Sequence, residues 1–258
     1  MPTLSQITIY PIKSLDGVSL NQVEILPSGA LQHDREYAIF TEDGKFVNGK
    51  QYPQIHLIES SFTEDLETVF LKIRGTEITQ SFHLQSDIKS LELWLSDYFG
   101  FKVLIKQDSL TGFPDDTMAS GPTIISESTL KTVASWFDHI SINQMRSRLR
   151  TNLEITDTPP FWEDQLFGKE GENLPFYIGN IQFLGINPCQ RCIVPTRNPL
   201  TGENYTEFQK IFVKKRQETL PEWTNKSRFN HYYRLSVNTC IPATESGKIL
   251  KTSLVVGL

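Results

Sequence analysis

Two of the three cysteines in this 258-residue chain stand together in the segment 189–192, Cys-Gln-Arg-Cys. A thiolate is both the nucleophile and the soft metal ligand of proteins, and a neighbouring cation favours it over the thiol. Residues 193–195, Ile-Val-Pro, read as a strand, and residues 198–202, Asn-Pro-Leu-Thr-Gly, as a turn. A cysteine held at a strand end against a rigid turn lies where a ligand can reach it. The segment 189–192 is therefore the first candidate site.

Two common roles for a cysteine pair fit this chain poorly. Half of a zinc site would need a second pair, but Cys240 is solitary and the five histidines are scattered without ligand spacing. A thioredoxin-type redox pair would need a surrounding βαβ pattern, which the sequence lacks. Cys240 itself is expected to be a buried, inert cysteine.

Two cationic pairs near the N-terminus could hold an anion. Lys13 and Ser14 follow the Tyr-Pro-Ile segment 10–12, so a point charge and a hydroxyl come directly after a stiffened strand end. Arg35 follows Asp34 just ahead of a predicted strand. Taken alone, the first pair is an ordinary turn and the second a surface ion pair that adds little stability.

A row of arginines forms the third cationic candidate. Arg146, Arg148 and Arg150 are spaced by two, and Asn152 continues the series. In an extended chain this spacing places all four side chains on one face. Guanidinium groups in such a row suit bidentate phosphate recognition, but they equally suit a solvated edge that blocks pairing between sheets.

Composition limits the class of protein. Twenty-five Lys and Arg against 30 Asp and Glu give a net charge of -5, which argues against general nucleic-acid affinity. The odd, sparse cysteine set favours a reducing compartment. Residues 1–13 lack a signal-peptide pattern, and no apolar run reaches the roughly 18 residues of a spanning helix. These observations predict a cytoplasmic protein with neither nucleic acid nor membrane as its partner.

The periodicity predicts many strands and few helices, an α+β fold that is mostly β and shaped as a barrel or sandwich. One helix is predicted over residues 91–99, with Gly100 as its stop, and others over about 126–137 and 207–215. The polar stretch 108–121 has little periodicity and is taken as a connection. It predicts two β-rich domains, 1–112 and 113–258.

Strands are predicted at residues 7–10, 22–26, 36–40, 45–47, 55–60, 69–73, 102–105, 149–155, 181–184, 232–237 and 250–256.

Taken in order, five motifs make the chain resemble the MOSC family, named for the C-terminal domain of molybdenum cofactor sulfurase. In layout it is similar to the mitochondrial amidoxime-reducing component and its bacterial counterparts. The resemblance runs from about Leu4 to the end of the chain. The motifs are Tyr-Pro-Ile-Lys-Ser at 10–14, Asp-Arg-Glu-Tyr at 34–37, Ile-Ser-Glu-Ser-Thr-Leu at 125–130, Arg-Thr-Asn at 150–152 and Cys-Gln-Arg-Cys at 189–192.

The resemblance implies two β-barrel-like domains with peripheral helices and a molybdopterin-based molybdenum cofactor bound between them. It makes Cys192 the metal ligand and catalytic residue, whereas Cys189 receives no such role. Other positions of this chain match cofactor contacts: Lys13, Ser14, Arg35, Arg150 and Asn152, and with weaker matches Arg191, Tyr232 and Ser120. One departure is the lack of an aspartate near residues 118–119; Asp115 and Asp116 lie upstream instead.

The function that the resemblance implies is reduction of N-hydroxylated or N-oxide-type small molecules. Electrons would come from a separate redox protein, since only Cys240 follows the motif and no iron–sulfur, flavin or nicotinamide pattern is visible. One alternative is a carrier of sulfur or cofactor that uses a cysteine persulfide; the chain has no room for a pyridoxal-phosphate desulfurase domain. Another is an anion-binding barrel without activity.

Overall fold

The computed structural model describes all 258 residues as a mostly-β chain with four α-helices. None of its helices has the length and apolar character needed to cross a membrane. The helices are α1 (Ile88–Phe99), α2 (Glu127–Ala134), α3 (Ile142–Leu149) and α4 (Phe208–Glu218). The strands are β1 (Thr3–Ile9), β2 (Val18–Leu20), β3 (Gln22–Glu24), β4 (Tyr37–Thr41), β5 (Ile58–Phe62), β6 (Thr68–Ile73), β7 (Thr79–His83), β8 (Val103–Gln107), β9 (Ile124–Ser126), β10 (Leu153–Thr156), β11 (Leu174–Ile178), β12 (Ile181–Gln190), β13 (Arg234–Cys240), β14 (Ile249–Lys251) and β15 (Val256–Gly257).

One eight-stranded sheet organises the molecule, in the order β15-β11-β12-β13-β9-β10-β1-β2. The remaining strands form one three-stranded sheet, β5-β6-β7, and two pairs, β14-β3 and β4-β8. The mostly-β prediction is confirmed. The named strands do not pair into closed barrels, and β15 and β2 are the outer strands of the large sheet. An isolated antiparallel bridge between Thr3 and Val255 links β1 to the residue before β15.

The first strand of the chain belongs to the large sheet, where β1 pairs with β10. Leu4, Ile7 and Ile9 of β1 pack in a hydrophobic core with residues of β11 and β12. A second core is built from residues between Ile12 and Val103, and a third lies around helices α2, α3 and α4. The N-terminal segment therefore connects the two β-rich parts, and the division at residue 112 stays a prediction.

The arginine row is the main error of the sequence analysis. Residues 142–149 form helix α3, which begins with a capping box between Ser141 and Gln144, so the row is not extended. Arg146 forms an ion pair with Glu154, and Arg148 donates to the carbonyl oxygens of the 3-10 helix region that follows the cysteines. Arg146 and Arg148 lie on different sides of α3, because helical geometry separates residues spaced by two, and Arg150 and Asn152 lie beyond the last helical residue.

A second error concerns residues 193–195, where a strand was predicted. Val194–Thr196 forms a 3-10 helix with Pro195 in its first turn, so the chain bends immediately after the cysteines. By contrast, the helix predicted before Gly100 is confirmed as α1. Gly100 ends it with φ of 75°, a left-handed conformation that glycine adopts without the usual steric cost.

Within the segment 156–179, residues 161–168 pack inside the protein, whereas residues 169–173 are exposed. Phe161, Trp162 and Phe167 are buried in the cores. The 3-10 helix Trp162–Gln165 also buries Glu163, whose carboxylate accepts from the hydroxyl of Thr129 at 3.0 Å. Its other oxygen has no partner, and burial raises the pKa of Glu163 to about 7, with the neighbouring Asp164 adding to the shift.

Replacement of Glu163 by Gln tests this buried carboxyl. Since its pKa is about 7 in the folded chain and near 4.5 unfolded, the stability that this carboxyl contributes is fully present below pH 4.5 and is lost as pH rises through 7. The loss is on the order of 3 kcal/mol. We expect the wild-type free energy of unfolding to fall between pH 5 and 8, and that of Glu163→Gln to fall much less. Urea unfolding at both pH values measures this; equal falls would contradict it.

Candidate functional site

A cavity of about 850 Å³ opens where the N-terminal segments meet the large sheet. Eight cationic side chains line it against three carboxylates, although the whole chain carries a net charge of -5. The cations are Lys13, Arg35, Lys50, Arg148, Arg150, Arg191, Arg228 and Arg234. The carboxylates are Asp115, Asp116 and Glu170. Concentrating one sign of charge in a cleft creates a field that attracts anions.

Tyr10 supports two of these cations. Its buried ring lies 5.2 Å from the guanidinium carbon of Arg35 and 4.1 Å from that of Arg150. Such cation–π contacts stabilise a positive charge that has left water. Burial raises the pKa of Tyr10 despite the two arginines, so the phenol remains neutral at physiological pH. One aromatic ring thus holds together residues that are more than a hundred positions apart.

Lys13 lies in the same wall and is partly neutralised. Its backbone amide donates to the carbonyl of Tyr37, which fixes the chain after β1 beside β4. The ammonium group donates to the carbonyl of Phe113 at 2.7 Å and to Asp115 at 2.9 Å. Burial lowers the pKa of Lys13, and Asp115 opposes that effect. Asp115 therefore neutralises part of the positive charge of Lys13, the residue that was predicted to bind an anion.

Arg35 and Asn152 belong to one network. Arg35 pairs with Asp34, and its guanidinium lies 3.5 Å from the amide oxygen of Asn152. The amide nitrogen of Asn152 donates to Thr8 at 3.0 Å and to Asp34 at 3.1 Å. Asn152 is buried, and its hydrogen bonds within the protein hold Asp34 and Arg35 in place.

Arg150 is the cation with the least compensation. It donates to the carbonyl oxygen of Leu15 at 2.7 Å and forms no ion pair with a carboxylate. Burial lowers the pKa of Arg150, and the like charge of Arg35 lowers it further. A desolvated guanidinium that lacks a counterion is disfavoured unless an anion binds beside it.

Three of the predicted contacts also share an unusual backbone. Ser14, Arg35 and Arg150 have φ of 76°, 55° and 53°, in the left-handed region. Each such residue costs on the order of 1–2 kcal/mol when it is not glycine. Strain of this kind persists where surrounding contacts enforce it, and it tends to collect at functional sites. The three residues line one cavity.

The two cysteines of segment 189–192 also line the cavity as half-buried free thiols. Cys189 is the next-to-last residue of β12 and lies at a register shift between Pro188 and Gln190, whereas Cys192 lies beyond the strand. The guanidinium of Arg191 contacts the Sγ of Cys189 at 3.3 Å and also donates to the carbonyl of Leu149. Arg191, which lies between the two cysteines in the sequence, therefore contacts the sulfur atom of Cys189.

Three other predicted residues lie outside the lining of the cavity. The hydroxyl of Ser120 donates to the carbonyl of Ser28 at 2.6 Å, and Tyr232 stacks on Phe229 with ring centroids 6.1 Å apart. Their assignment as cofactor contacts stays a prediction. Cys240, expected to be inert, is half-buried near Met118, and burial raises its pKa.

Several lining residues were missed by the sequence analysis. His56 packs against Gly49, its Nε2 is buried without a partner, and burial lowers its pKa to about 4, so it is neutral at pH 7. No spacing in the sequence distinguishes His56. Arg228 and Arg234 were also missed, although they flank the Asn-His-Tyr segment 230–232.

Comparison with known proteins identifies the first part of the chain. Residues 1–101 match the MOSC N-terminal beta barrel domain. The chain is 28% identical to mitochondrial amidoxime reducing component 2 of Bos taurus over 244 residues, covering 78% of this chain and 68% of that protein. It is 24% identical to mitochondrial amidoxime-reducing component 1 of Homo sapiens, covering 78% and 67% respectively.

A second group of relatives is longer than this chain. The chain is 25% identical to molybdenum cofactor sulfurase of Caenorhabditis briggsae over 225 residues, covering 79% of this chain. It spans only 30% of the length of that sulfurase. The resemblance drawn from the motifs is confirmed.

The response to inorganic phosphate tests the cavity as an anion site. Phosphate should raise the melting temperature of the wild-type chain, because an anion that binds only the folded state stabilises it. Arg150→Met removes the least compensated cation, so most of the phosphate-induced shift should disappear. Lys210→Gln, an exposed change on α4, is the matched control and should keep the shift. A full shift in Arg150→Met would show that phosphate binds elsewhere.

Proposed function

Since residues 1–101 match the MOSC N-terminal beta barrel domain, we propose that this chain binds the molybdenum cofactor and reduces N-hydroxylated or N-oxide-type small molecules with it. The observation that carries the proposal is the position of Cys192 in one cationic cavity with Arg150, whose buried charge lacks a carboxylate partner. A soft ligand and an anion site together suit a metal carried by a phosphorylated pterin.

The residues of the cavity fit such a cofactor. A volume of about 850 Å³ lies within the range of small-molecule sites. The phosphate, with a charge of roughly -1.5 to -2, would bind Arg150 together with Lys13 and the strained Ser14. Binding of the phosphate would give the guanidinium of Arg150 an anionic partner. The hydrogen bonds would be charge-assisted and therefore about twice as strong as neutral ones.

The roles of Arg35 and Asn152 follow from their partners. Arg35 is already paired with Asp34, so it adds positive potential at the phosphate position while remaining fixed to the protein. Asn152 uses its amide to hold Asp34 and Thr8, so we assign it a positioning role. The cationic wall is therefore formed before any ligand arrives, which lowers the cost of ordering it on binding.

Cys192 is the proposed metal ligand. When bound, the cofactor supplies two-electron redox chemistry at its molybdenum. Removal of a hydroxyl oxygen as water requires an electron pair and two protons. We propose a separate redox protein as the source of the electrons and bulk water reaching the open cavity as the source of the protons.

A carrier of sulfur or cofactor is the second candidate, and the contact of Arg191 with Cys189 favours it. A guanidinium 3.3 Å from a sulfur atom stabilises a thiolate or a persulfide anion. Part of the resemblance is also to proteins named molybdenum cofactor sulfurase. In this alternative Cys189 or Cys192 would hold a labile sulfur and no turnover would occur.

Serine in place of Cys192 is the direct test. We expect Cys192→Ser to lose at least about a hundredfold in benzamidoxime reduction, with reduced viologen as donor, because a hydroxyl is a poorer ligand for a soft site. Molybdenum content should fall as well. Protein should be prepared in a host that makes the cofactor, and circular dichroism checks folding.

Cys240→Ser is the matched control, because Cys240 does not line the cavity, and it should keep activity and molybdenum. Wild-type activity in Cys192→Ser would reject the assignment of the ligand. Labile sulfane sulfur without turnover in the wild-type chain would instead support the carrier, and cyanide-released thiocyanate measures it.

A further inference from the structure

Arg228 and Arg234 form a second cationic centre in the cavity, near Cys189. Arg228 ends the 3-10 helix Lys226–Arg228, and Arg234 begins β13. Burial lowers the pKa of Arg234, and the like charge of Arg228 lowers it further, whereas Cys189 opposes the shift. Both guanidinium groups line the cavity that also holds Cys189, and the acceptor of Arg234, the carbonyl of Pro188, directly precedes Cys189 in β12.

Both guanidinium groups are fixed by neutral acceptors alone. Arg234 donates to the carbonyl of Pro188 at 3.1 Å and to the amide oxygen of Asn230 at 3.0 Å. Arg228 donates to the carbonyl of Lys169 at 2.9 Å. Neither forms an ion pair with a carboxylate, and the Nε of Arg234 is buried without a partner. The pair is held in position while its charge stays uncompensated.

This centre is distinct from the one around Tyr10. Arg228 and Arg234 are held by acceptors at Lys169, Pro188 and Asn230. Arg150 is held instead by the carbonyl of Leu15 and the ring of Tyr10. One phosphate can satisfy the centre at Arg150, and a second anionic group in the same cavity would compensate Arg228 and Arg234.

We propose that Arg228 and Arg234 bind a carboxylate of the substrate, so that the preferred substrates are anionic N-hydroxylated compounds. The inference rests on the proposed function for the nature of the reacting group. Two guanidinium forks match the planar geometry of a carboxylate and can hold it bidentately. Asn187 and Asn238, which line the same cavity and are joined by a hydrogen bond of 3.2 Å, add neutral polar groups that suit the N-hydroxylated end.

Calorimetric titration of the cofactor-loaded chain with benzamidoxime and with 4-carboxybenzamidoxime tests this pair. We expect the carboxylated compound to bind about tenfold or more tightly than the neutral one, as a charge-assisted contact predicts. Arg228→Gln and Arg234→Gln should each reduce that preference at least about threefold. Lys226→Gln removes an exposed cation from the same 3-10 helix outside the cavity, so it should retain the preference.

Three outcomes would overturn the inference. The wild-type chain could bind both compounds equally or bind neither, or the preference could survive in Arg228→Gln and Arg234→Gln. Loss of molybdenum and of the oxidised-pterin fluorescence in these variants would instead assign the pair to an anionic group of the cofactor. Arg228→Gln decides alone if Arg234→Gln does not fold.

Turnover, measured separately with reduced viologen, distinguishes this inference from the function on which it rests. A binding preference without turnover of either compound contradicts the proposed reduction and leaves the carboxylate site supported. Turnover of the neutral compound with no preference for the carboxylated one contradicts the carboxylate site alone.

Discussion

The ring of Tyr10 is the contact on which the cationic end of the cavity depends. It lies beneath the guanidinium groups of both Arg35 and Arg150, and its hydroxyl donates to the carbonyl of Thr151 at 3.4 Å. These residues come from three separate segments, and two of them have left-handed backbones. Without this ring, the like charges of Arg35 and Arg150 would lie in a partly desolvated space with no aromatic face to stabilise them. The ring therefore makes this arrangement possible before any anion binds.

Charge is distributed unevenly over the molecule for a physical reason. An acidic chain with a net charge of -5 places eight of its 25 cationic residues in one cavity, where neutral carbonyls rather than carboxylates hold Arg148, Arg150 and Arg234. Carbonyl acceptors orient a guanidinium without cancelling its charge. The protein thereby gives up stability at these positions in exchange for a site prepared for anionic ligands.

The fold could be predicted in part from local signals. Gly100 marked the end of α1, because turn chemistry acts within a few residues. The helix predicted from about residue 126 is present as α2, which Ser126 caps. Helix α3 was missed because its arginines at alternate positions imitate a strand. The capping residues Ser141 and Gln144 were the available signal. The prediction of closed barrels was not confirmed, because the periodicity of a sequence shows where strands form but not which distant strands pair.

The candidate site, like the fold, could be predicted from the sequence only in part. Residue types and spacings made Lys13, Ser14, Arg35, Arg150 and Cys192 candidates, and the family resemblance assigned their roles; the structure brings all five to one cavity. Their partners were not predictable from spacing: Asp115 neutralises Lys13, Arg191 contacts Cys189, and His56 is half-buried beside Gly49.

The sequence by itself determined which chemical groups are present and which local turns hold them, because these depend on neighbouring residues. The tertiary structure decided which charges stay uncompensated. That outcome depends on burial and on contacts between segments far apart in the chain, as with Arg228 held by the carbonyl of Lys169 and Arg234 held by that of Pro188.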